Sequence, residues 1–275
     1  MKQMKIFKDK HSLKNELSGI KNLAFVPTMG GLHKGHTSLI KKAQIHGRKV
    51  LVSIYVNPKQ FNSKKDFHSY PKNEMKDLNF LRKLRVDYVY IPTFNDVYLF
   101  KTRNRVYEDK QSKILCGKYR KLHFKGVLDV VNRLIEIIEP KKIVLGEKDY
   151  QQLFLIKKHI KKNNINTKIL SCKTIREKNG MPCSSRNFNL SKKEKKIASK
   201  VYYYLKKEKK NISQKNLFKY TIANLKKKIL KFGVKKIDYI EFISLKNLKK
   251  IKSNKQRFNI FISYYLRHVR LIDNF

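Results

Sequence analysis

Two histidines three positions apart, His33 and His36, lie in the stretch FVPTMGGLHKGHTSLIKKA at residues 25–43. Imidazole nitrogens bind zinc, donate hydrogen bonds to phosphate oxygens, or serve as ordinary polar side chains. Zinc normally requires three or four protein ligands, and the surrounding stretch contains neither an acidic residue nor a cysteine. A metal site is therefore disfavoured, whereas a surface pair and a phosphate site both remain open.

The position of the histidine pair in the chain favours phosphate. Residues 22–29, NLAFVPTM, are apolar like a buried strand, and residues 35–47, GHTSLIKKAQIHG, show helical spacing before a terminal glycine. Open α/β sheets bind ligands beyond the carboxyl ends of their strands, and helix N-termini attract phosphate. Because Gly30, Gly31 and Gly35 let the backbone approach a ligand, imidazole donors here are suited to stabilising phosphate charge.

Strand-like and helix-like segments alternate through the first two thirds of the chain. Further strands are expected at KVLVSIYV, VDYVYIP, KKIVLG and KILSCKTI, with helices at NEMKDLNFLRKL, GVLDVVNRLIEIIEP and YQQLFLIKKHIKK. This alternation predicts an α/β fold with a doubly wound, Rossmann-like parallel sheet. In the first of these helices, Met75, Leu78 and Leu81 are expected to share one side.

The organisation changes near Arg176. The turn-rich stretch REKNGMPCSSRNFN is followed by a helix that starts with Ser191 and Glu194, spaced as a capping box. A second helix is expected around residues 217–232, and two strand-like runs, KKIDYIEFISL and RFNIFISYYL, close the chain. We therefore expect a Rossmann-like domain at residues 1–175 and a smaller α+β domain at residues 176–275.

The charge of the chain is unusually positive. Lysine and arginine total 66 against 20 aspartate and glutamate residues, which gives a formal net charge of +46. Such a charge suggests a nucleic-acid-binding protein. However, the excess is spread over every segment, which favours compositional drift on solvated faces and no specific nucleic-acid partner. The charge should still attract anionic substrates.

Cysteine usage and hydropathy indicate where the protein works. Cys116, Cys172 and Cys183 are odd in number, widely spaced and outside any CxxC motif, so neither a disulfide framework nor a zinc site is expected. The amino-terminal residues lack an apolar signal-peptide core, and no stretch reaches the ~20 apolar residues of a membrane span. We expect a cytoplasmic protein without a membrane partner.

A series of ordered motifs resembles the pantothenate synthetase (pantoate–β-alanine ligase) family of HxGH nucleotidyltransferases. They are FVPTMGGLHKGH, VSIYVNPKQF, YPK with DLNFL, HFKGVLDVV, GEKDYQQL, IREKNGMPCSSRN and RLIDN. The resemblance implies that the pantoate carboxylate attacks the α-phosphorus of ATP, after which the amine of β-alanine attacks the pantoyl adenylate. The products are pantothenate, AMP and pyrophosphate. It also implies Mg²⁺ bound with ATP, a homodimer, and a smaller domain that closes as a lid.

The same resemblance assigns the site residues. The catalytic residues are expected to be His33, His36 and Lys148, which stabilise charge on the ATP phosphates. The expected ATP-binding residues are Thr28, Met29, Gly30, His33, Gly35, His36, Gly146, Lys148, Asp149, Ile175, Met181, Ser184, Ser185 and Arg186. The expected pantoate-binding residues are Gln60, Gln152, Met29 and Tyr70. From the residues alone, Asp149 suits a helix N-cap as well, and Tyr70 suits the core.

Three positions depart from the family motifs. Lys121 and Leu122 stand where proline and glycine are expected, so the loop before Phe124 should be less rigid, and the role of Arg120 is left open. Gly31 replaces a small side chain, a change that should be tolerated.

Overall fold

The computed structural model describes residues 3–214, 222–251 and 256–275. The strands of these residues are β1 Lys5–Phe7, β2 Leu23–Thr28, β3 Lys49–Ile54, β4 Tyr88–Tyr90, β5 Lys142–Gly146, β6 Lys168–Cys172, β7 Lys236–Ser244, β8 Phe258–Leu266 and β9 Val269–Asn274. The α-helices are α1 Lys10–Leu17, α2 Lys34–His46, α3 Lys64–His68, α4 Glu74–Lys83, α5 Phe94–Tyr98, α6 Cys116–Tyr119, α7 His123–Ile138, α8 Tyr150–Lys162, α9 Lys192–Gln214 and α10 Ile222–Lys231.

Six strands form one parallel sheet in the order β1-β4-β3-β2-β5-β6. The chain adds β3 and β4 on one side of β2 and then returns to add β5 and β6 on the other side. The strand order therefore reverses between β2 and β5, and a crevice opens at their carboxyl ends. This reversal brings the segments after Thr28 and Gly146 to one place.

Helices cover both faces of the parallel sheet. Phe25 of β2 packs in a cluster with α7 and α8, whereas its neighbours Ala24 and Val26 pack in a second cluster with Ile40 of α2. Successive side chains of a strand point to opposite faces, so a strand apolar on both faces needs helices on both sides. The prediction of a doubly wound α/β fold is confirmed.

The smaller unit has the predicted α+β composition. The antiparallel sheet has the order β7-β8-β9 and packs with α9 and α10 around its own cluster. Glu194 and Ser191 form the expected capping box, with bonds of 2.7 Å and 3.2 Å. Tyr239 and Phe261 of this sheet join the core of the larger unit. The domain boundary at residues 175 and 176 stays a prediction.

Several details differ from the sequence expectations. Met75 is 67% exposed, because α4 buries Asp77 together with Leu78 and Leu81. The strands β1 and β9 and the helices α1, α3, α5 and α6 were not predicted. Residues 217–221 of the expected second helix lie outside the described residues. Of the helices in the described ranges, none combines the length and the apolar character that crossing a bilayer requires.

Leu122, at the position where the family has glycine, adopts a left-handed conformation with φ of 61°. This conformation costs a non-glycine residue about 1–2 kcal/mol, and the side chain is 66% exposed, so it gains little from packing. Leu122→Gly should therefore raise the free energy of unfolding by about 0.5–1 kcal/mol after the entropic cost of glycine. Urea unfolding measures the change. Leu122→Ala is the control, and a gain of the same size in that variant would contradict the backbone explanation.

Candidate active site

The crevice between β2 and β5 holds a cavity of about 320 Å³. Nearly every residue predicted for the site lines this cavity. These residues are Thr28, Met29, His33, Gly35, His36, Gln60, Tyr70, Gly146, Lys148, Asp149, Gln152, Ile175, Met181, Ser184, Ser185 and Arg186. Gly30 is buried in the turn behind the cavity and does not line it. The structure thus brings together residues from both sheet units.

The turn between β2 and α2 is held by a buried carboxylate. The N–H groups of Gly31 and Leu32 each donate to Asp77 at 2.8 Å, and Asp77 is 3% exposed. Gly31 has φ of 62°, which explains why glycine is tolerated at this family position. Asp77 was missed because its role depends on α4 packing against this turn, although an acidic residue beside buried leucines was the available signal.

The histidine pair caps the start of α2. Nδ1 of His33 accepts from the N–H of Gly35 at 3.1 Å, and Nδ1 of His36 accepts from the N–H of His33 at 3.2 Å. An imidazole whose Nδ1 accepts a hydrogen bond carries its proton on Nε2. Each ring therefore keeps one N–H donor for a ligand, and the ring centroids lie 4.1 Å apart.

Both rings are uncharged at neutral pH. Burial, and then the nearby charge of Lys148, lower the pKa of His33 to about 4. Burial, then His33 and Lys148, lower the pKa of His36 to about 3. The pair consequently offers neutral hydrogen-bond donors, and positive charge in this region comes from Lys148.

Acid should destabilise the fold. Burial lowers the pKa of His36 and of His123 to about 3 in each case, whereas the unfolded chain titrates near the ordinary value of 6.5. The unfolded state therefore binds more protons between these values. The stabilisation is complete above pH 6.5 and falls on acidification, by about 1.4 kcal/mol per pH unit for each histidine. Urea unfolding at several pH values between 7.5 and 5 measures the slope.

A matched variant separates this effect from general acid sensitivity. His11 is exposed, so His11→Gln should leave the slope unchanged. A free energy of unfolding that stays constant over that pH range would contradict the burial of neutral His36 and His123.

Lys148 lies just after β5 and faces the histidine pair. Its Nζ is 3.3 Å from Asp149 Oδ1, and its side chain is 20% exposed. The last strand fixes this segment, because the amide of Asn274 donates to the carbonyls of Glu147 and Lys148 at 3.0 Å each. Asp149 occupies the N-cap position of α8, as the alternative predicted, but its side chain makes no capping hydrogen bond.

The two adjacent glutamines of α8 have different surroundings. Gln151 is buried, and its amide bonds the backbone of Cys116, Gln111 and Ile114 at 3.1, 2.8 and 2.8 Å. Gln152 lines the cavity, and its side chain makes no hydrogen bond to another described residue. A free amide facing a cavity supplies both a donor and acceptors. Gln152 is therefore the glutamine available to a ligand.

The backbone of Gln60 is held by Arg120, whose role the sequence left open, and by His123, which the sequence analysis did not single out. His123 Nδ1 donates to the carbonyl of Gln60 at 2.8 Å, and Arg120 Nη2 donates to the same oxygen at 3.3 Å. Arg120 Nη1 also donates to His123 Nε2 at 2.9 Å. The RKLHF stretch that departs from the family motif thus positions the predicted substrate glutamine.

The serine-arginine segment closes the other side of the cavity. Tyr70 Oη lies 3.1 Å from Ser185 Oγ, and burial raises the pKa of Tyr70. Ser184 Oγ accepts from the N–H of Arg186 at 3.3 Å. Arg186 Nη2 donates to both Asp66 oxygens at 3.0 Å, which ties this segment to α3.

The chain is similar to proteins of known activity over its whole length. The family model described as Pantoate-beta-alanine ligase matches residues 4–275. The pantothenate synthetase of Francisella tularensis subsp. mediasiatica is 41% identical over 266 residues, which cover 96% of this chain and 93% of that protein.

Solved structures agree. Pantoate-beta-alanine ligase from Francisella tularensis, complexed with beta-gamma ATP and beta-alanine, is 39% identical with a TM-score of 0.84, covering 99% of this chain and 97% of that chain. Pantothenate synthetase from Thermus thermophilus is 29% identical with a TM-score of 0.89, covering 99% of both chains. The predicted resemblance is confirmed, and the chain belongs to the pantoate–β-alanine ligase family.

Proposed function

We propose that this protein condenses pantoate with β-alanine at the expense of ATP, in two steps. A carboxylate oxygen of pantoate attacks the α-phosphorus of ATP, and the bond to the β-phosphate breaks to release pyrophosphate. The amine of β-alanine then attacks the pantoyl carbonyl, loses a proton and displaces AMP. No step requires a protein nucleophile, so catalysis consists of positioning and charge stabilisation.

The observation that carries this proposal is the neutral histidine pair facing Lys148 at the strand reversal. Two Nε2–H donors and one ammonium group suit a triphosphate that gains negative charge as pyrophosphate leaves. The donors are held by the backbone bonds at the start of α2, so they need little reorganisation when that charge develops. Ser184, Ser185 and Arg186 line the same cavity, and we propose that they contact the phosphates from the side of the smaller sheet.

The pantoate subsite is proposed at Gln60 and Gln152. Both line the cavity, and Met29 and Tyr70 lie beside them as further lining residues. Amide groups match the hydroxyl and carboxylate groups of pantoate without pairing the nucleophilic carboxylate with a cation. A carboxylate held by neutral donors keeps more of its reactivity than one held in a salt bridge.

Mg²⁺ is proposed to enter with ATP. In the described ranges, no group of three histidine, cysteine or acidic side chains is arranged to hold a metal ion. Asp149 offers one half-exposed carboxylate at the cavity. This donor set fits Mg²⁺, which keeps several water molecules and binds through one or two carboxylates and substrate phosphates. When bound, the ion neutralises part of the phosphate charge.

A stoichiometric assay tests the activity. Purified protein with pantoate, β-alanine, ATP and Mg²⁺ should form AMP, pyrophosphate and pantothenate in equal amounts. Leaving out β-alanine should limit pyrophosphate release to one equivalent per site. Folded protein that forms no AMP with pantoate, but forms an adenylate with another acid, would be an adenylyltransferase of different specificity and would overturn the proposal.

Two further parts of the proposal concern the protein in the cell. We propose a homodimer formed through the larger sheet unit, and sedimentation velocity should give about twice the 32.8 kDa mass of one chain. A cytoplasmic location and the lack of a specific nucleic-acid partner remain predictions. RNA retention that vanishes at about 0.2 M salt is expected if only charge attracts polyanions.

A further inference from the structure

Three arginines stand where the active-site cavity meets a second cavity of about 420 Å³. Arg120, Arg186 and Arg270 line both cavities, as does Tyr70. The second cavity lies between the α3 region and the smaller sheet, and its other lining residues are mostly polar or aromatic. A charged molecule that passes from one cavity to the other therefore meets this cluster of guanidinium groups.

Two of the three arginines have their own carboxylate partner. Arg270 Nε donates to Asp238 at 2.8 Å, and Arg186 Nη2 donates to both oxygens of Asp66 at 3.0 Å. Arg120 Nη2 lies 4.0 Å from the same Asp66, which Arg186 already engages. Within the described residues, no other carboxylate forms an ion pair with Arg120, so the cluster carries one positive charge more than its acidic partners balance.

The environment of Arg120 makes this excess charge costly. Its side chain is 17% exposed, and its close hydrogen bonds go to His123 and to the carbonyl of Gln60, which are uncharged. Burial, and then the charge of Arg186, lower the pKa of Arg120 to about 10. A largely buried cation is stabilised most by an anion that binds it directly, and a guanidinium group is shaped to bind a carboxylate through two bonds.

The place of Arg120 indicates which carboxylate it serves. Its guanidinium group lies beside Gln60, the residue that the proposed function assigns to pantoate. The molecule that attacks the pantoyl carbonyl carries an amine at one end and a carboxylate two methylene groups away. We propose that Arg120 binds the carboxylate of this β-amino acid, with the amine directed to the acyl adenylate and the second cavity as its approach. This inference rests on the proposed function.

The proposed subsite also predicts selection by chain length. A fixed guanidinium group beside a fixed acyl group accepts a nucleophile whose two ends match their separation. Glycine is one methylene too short and 4-aminobutyrate one too long, so both should react more slowly than β-alanine at equal concentration. An amine without a carboxylate, such as β-alaninamide, should lose the contact with Arg120 altogether.

Steady-state kinetics of Arg120→Met test the assignment. The KM for β-alanine should rise about 10- to 100-fold, the usual effect of losing a hydrogen-bonded charge partner. Because His123 still donates to the carbonyl of Gln60 at 2.8 Å, the KM for pantoate and the rate of pantoate-dependent pyrophosphate exchange into ATP, which needs no β-alanine, should change much less than the KM for β-alanine. Arg120→Lys keeps the charge without the planar fork and should recover part of the affinity. Arg103→Met, at an exposed ion pair with Glu139, is the matched control.

Each of the following outcomes either supports or overturns the assignment of Arg120 to the β-alanine carboxylate. Wild-type preference for β-alanine over β-alaninamide should disappear in Arg120→Met, which a purely structural role would not produce. A variant that loses pyrophosphate exchange while its KM for β-alanine is unchanged would place phosphate or the Gln60 loop at Arg120 and overturn the inference. Absence of exchange in the wild-type protein would overturn the proposed function instead. If Arg120→Met fails to fold, the KM of Arg120→Lys for β-alanine and its rate of pyrophosphate exchange test the assignment in the same way.

Discussion

Replacing Lys148 with methionine should lower the rate of pantoyl-adenylate formation by about 10²- to 10³-fold, the effect of removing one preorganised charge-stabilising donor. The two histidines beside it cannot compensate, since their pKa values of about 4 and 3 leave them uncharged. Arg186 also lines the cavity, and it is engaged by Asp66 at 3.0 Å. Lys148 is thus the ammonium group best placed to stabilise the negative charge that develops on the leaving pyrophosphate.

Pyrophosphate release in a single turnover without β-alanine measures this step directly. Lys148→Met should retain the thermal unfolding midpoint, because among the described residues its Nζ bonds only the half-exposed Asp149. Lys157→Met is the matched control, since Lys157 is an exposed lysine on α8 and its loss changes the net charge equally. If the two variants release pyrophosphate at the same rate, Lys148 has no part in the chemistry.

Much of this site could be predicted because its residues follow strands of a sheet with known rules. The segment after β2 and the segment after β5 are more than 100 residues apart in the sequence, yet the strand reversal places both at one crevice. Local patterns were enough to identify those strands, because both are short apolar runs followed by glycine and polar residues. Only the resemblance indicated that Gln152, and not Gln151, is the substrate-binding glutamine. The structure gives the physical reason, because the Gln151 amide already bonds the backbone of Cys116 whereas Gln152 lines the cavity.

The residues that hold the site were not predictable in the same way. Asp77, Arg120 and Asn274 each act on backbone groups that are distant in sequence: 45 residues for Asp77 and Leu32, 60 for Arg120 and Gln60, and 126 for Asn274 and Lys148. No local spacing encodes such a contact. The exposure of Met75 has the same origin, since α4 turned its Asp77 side inward to bind the β2–α2 turn.

His36 offers a test that separates structure from chemistry in one side chain. Its Nδ1 accepts the N–H of His33 at 3.2 Å, which stabilises the start of α2, while its Nε2–H is left for the ligand. His36→Asn places an acceptor near the Nδ1 position and no donor near the Nε2 position. This variant should keep its folding free energy but lose about 10²- to 10³-fold in the rate of adenylate formation.

His36→Gln reverses the two properties, because its longer amide carries an N–H near the Nε2 position but no acceptor near the Nδ1 position. It should keep more of the adenylation rate than His36→Asn while losing about 1 kcal/mol of folding free energy with the cap. Urea unfolding and single-turnover pyrophosphate release give both quantities for both variants. If His36→Asn adenylated at the wild-type rate, the Nε2–H donor would be irrelevant and His36 would serve only as a cap.

A pH–rate profile with a step near 6.5 in the wild-type protein would argue equally against a neutral pair, since burial holds the pKa values of both rings well below that range.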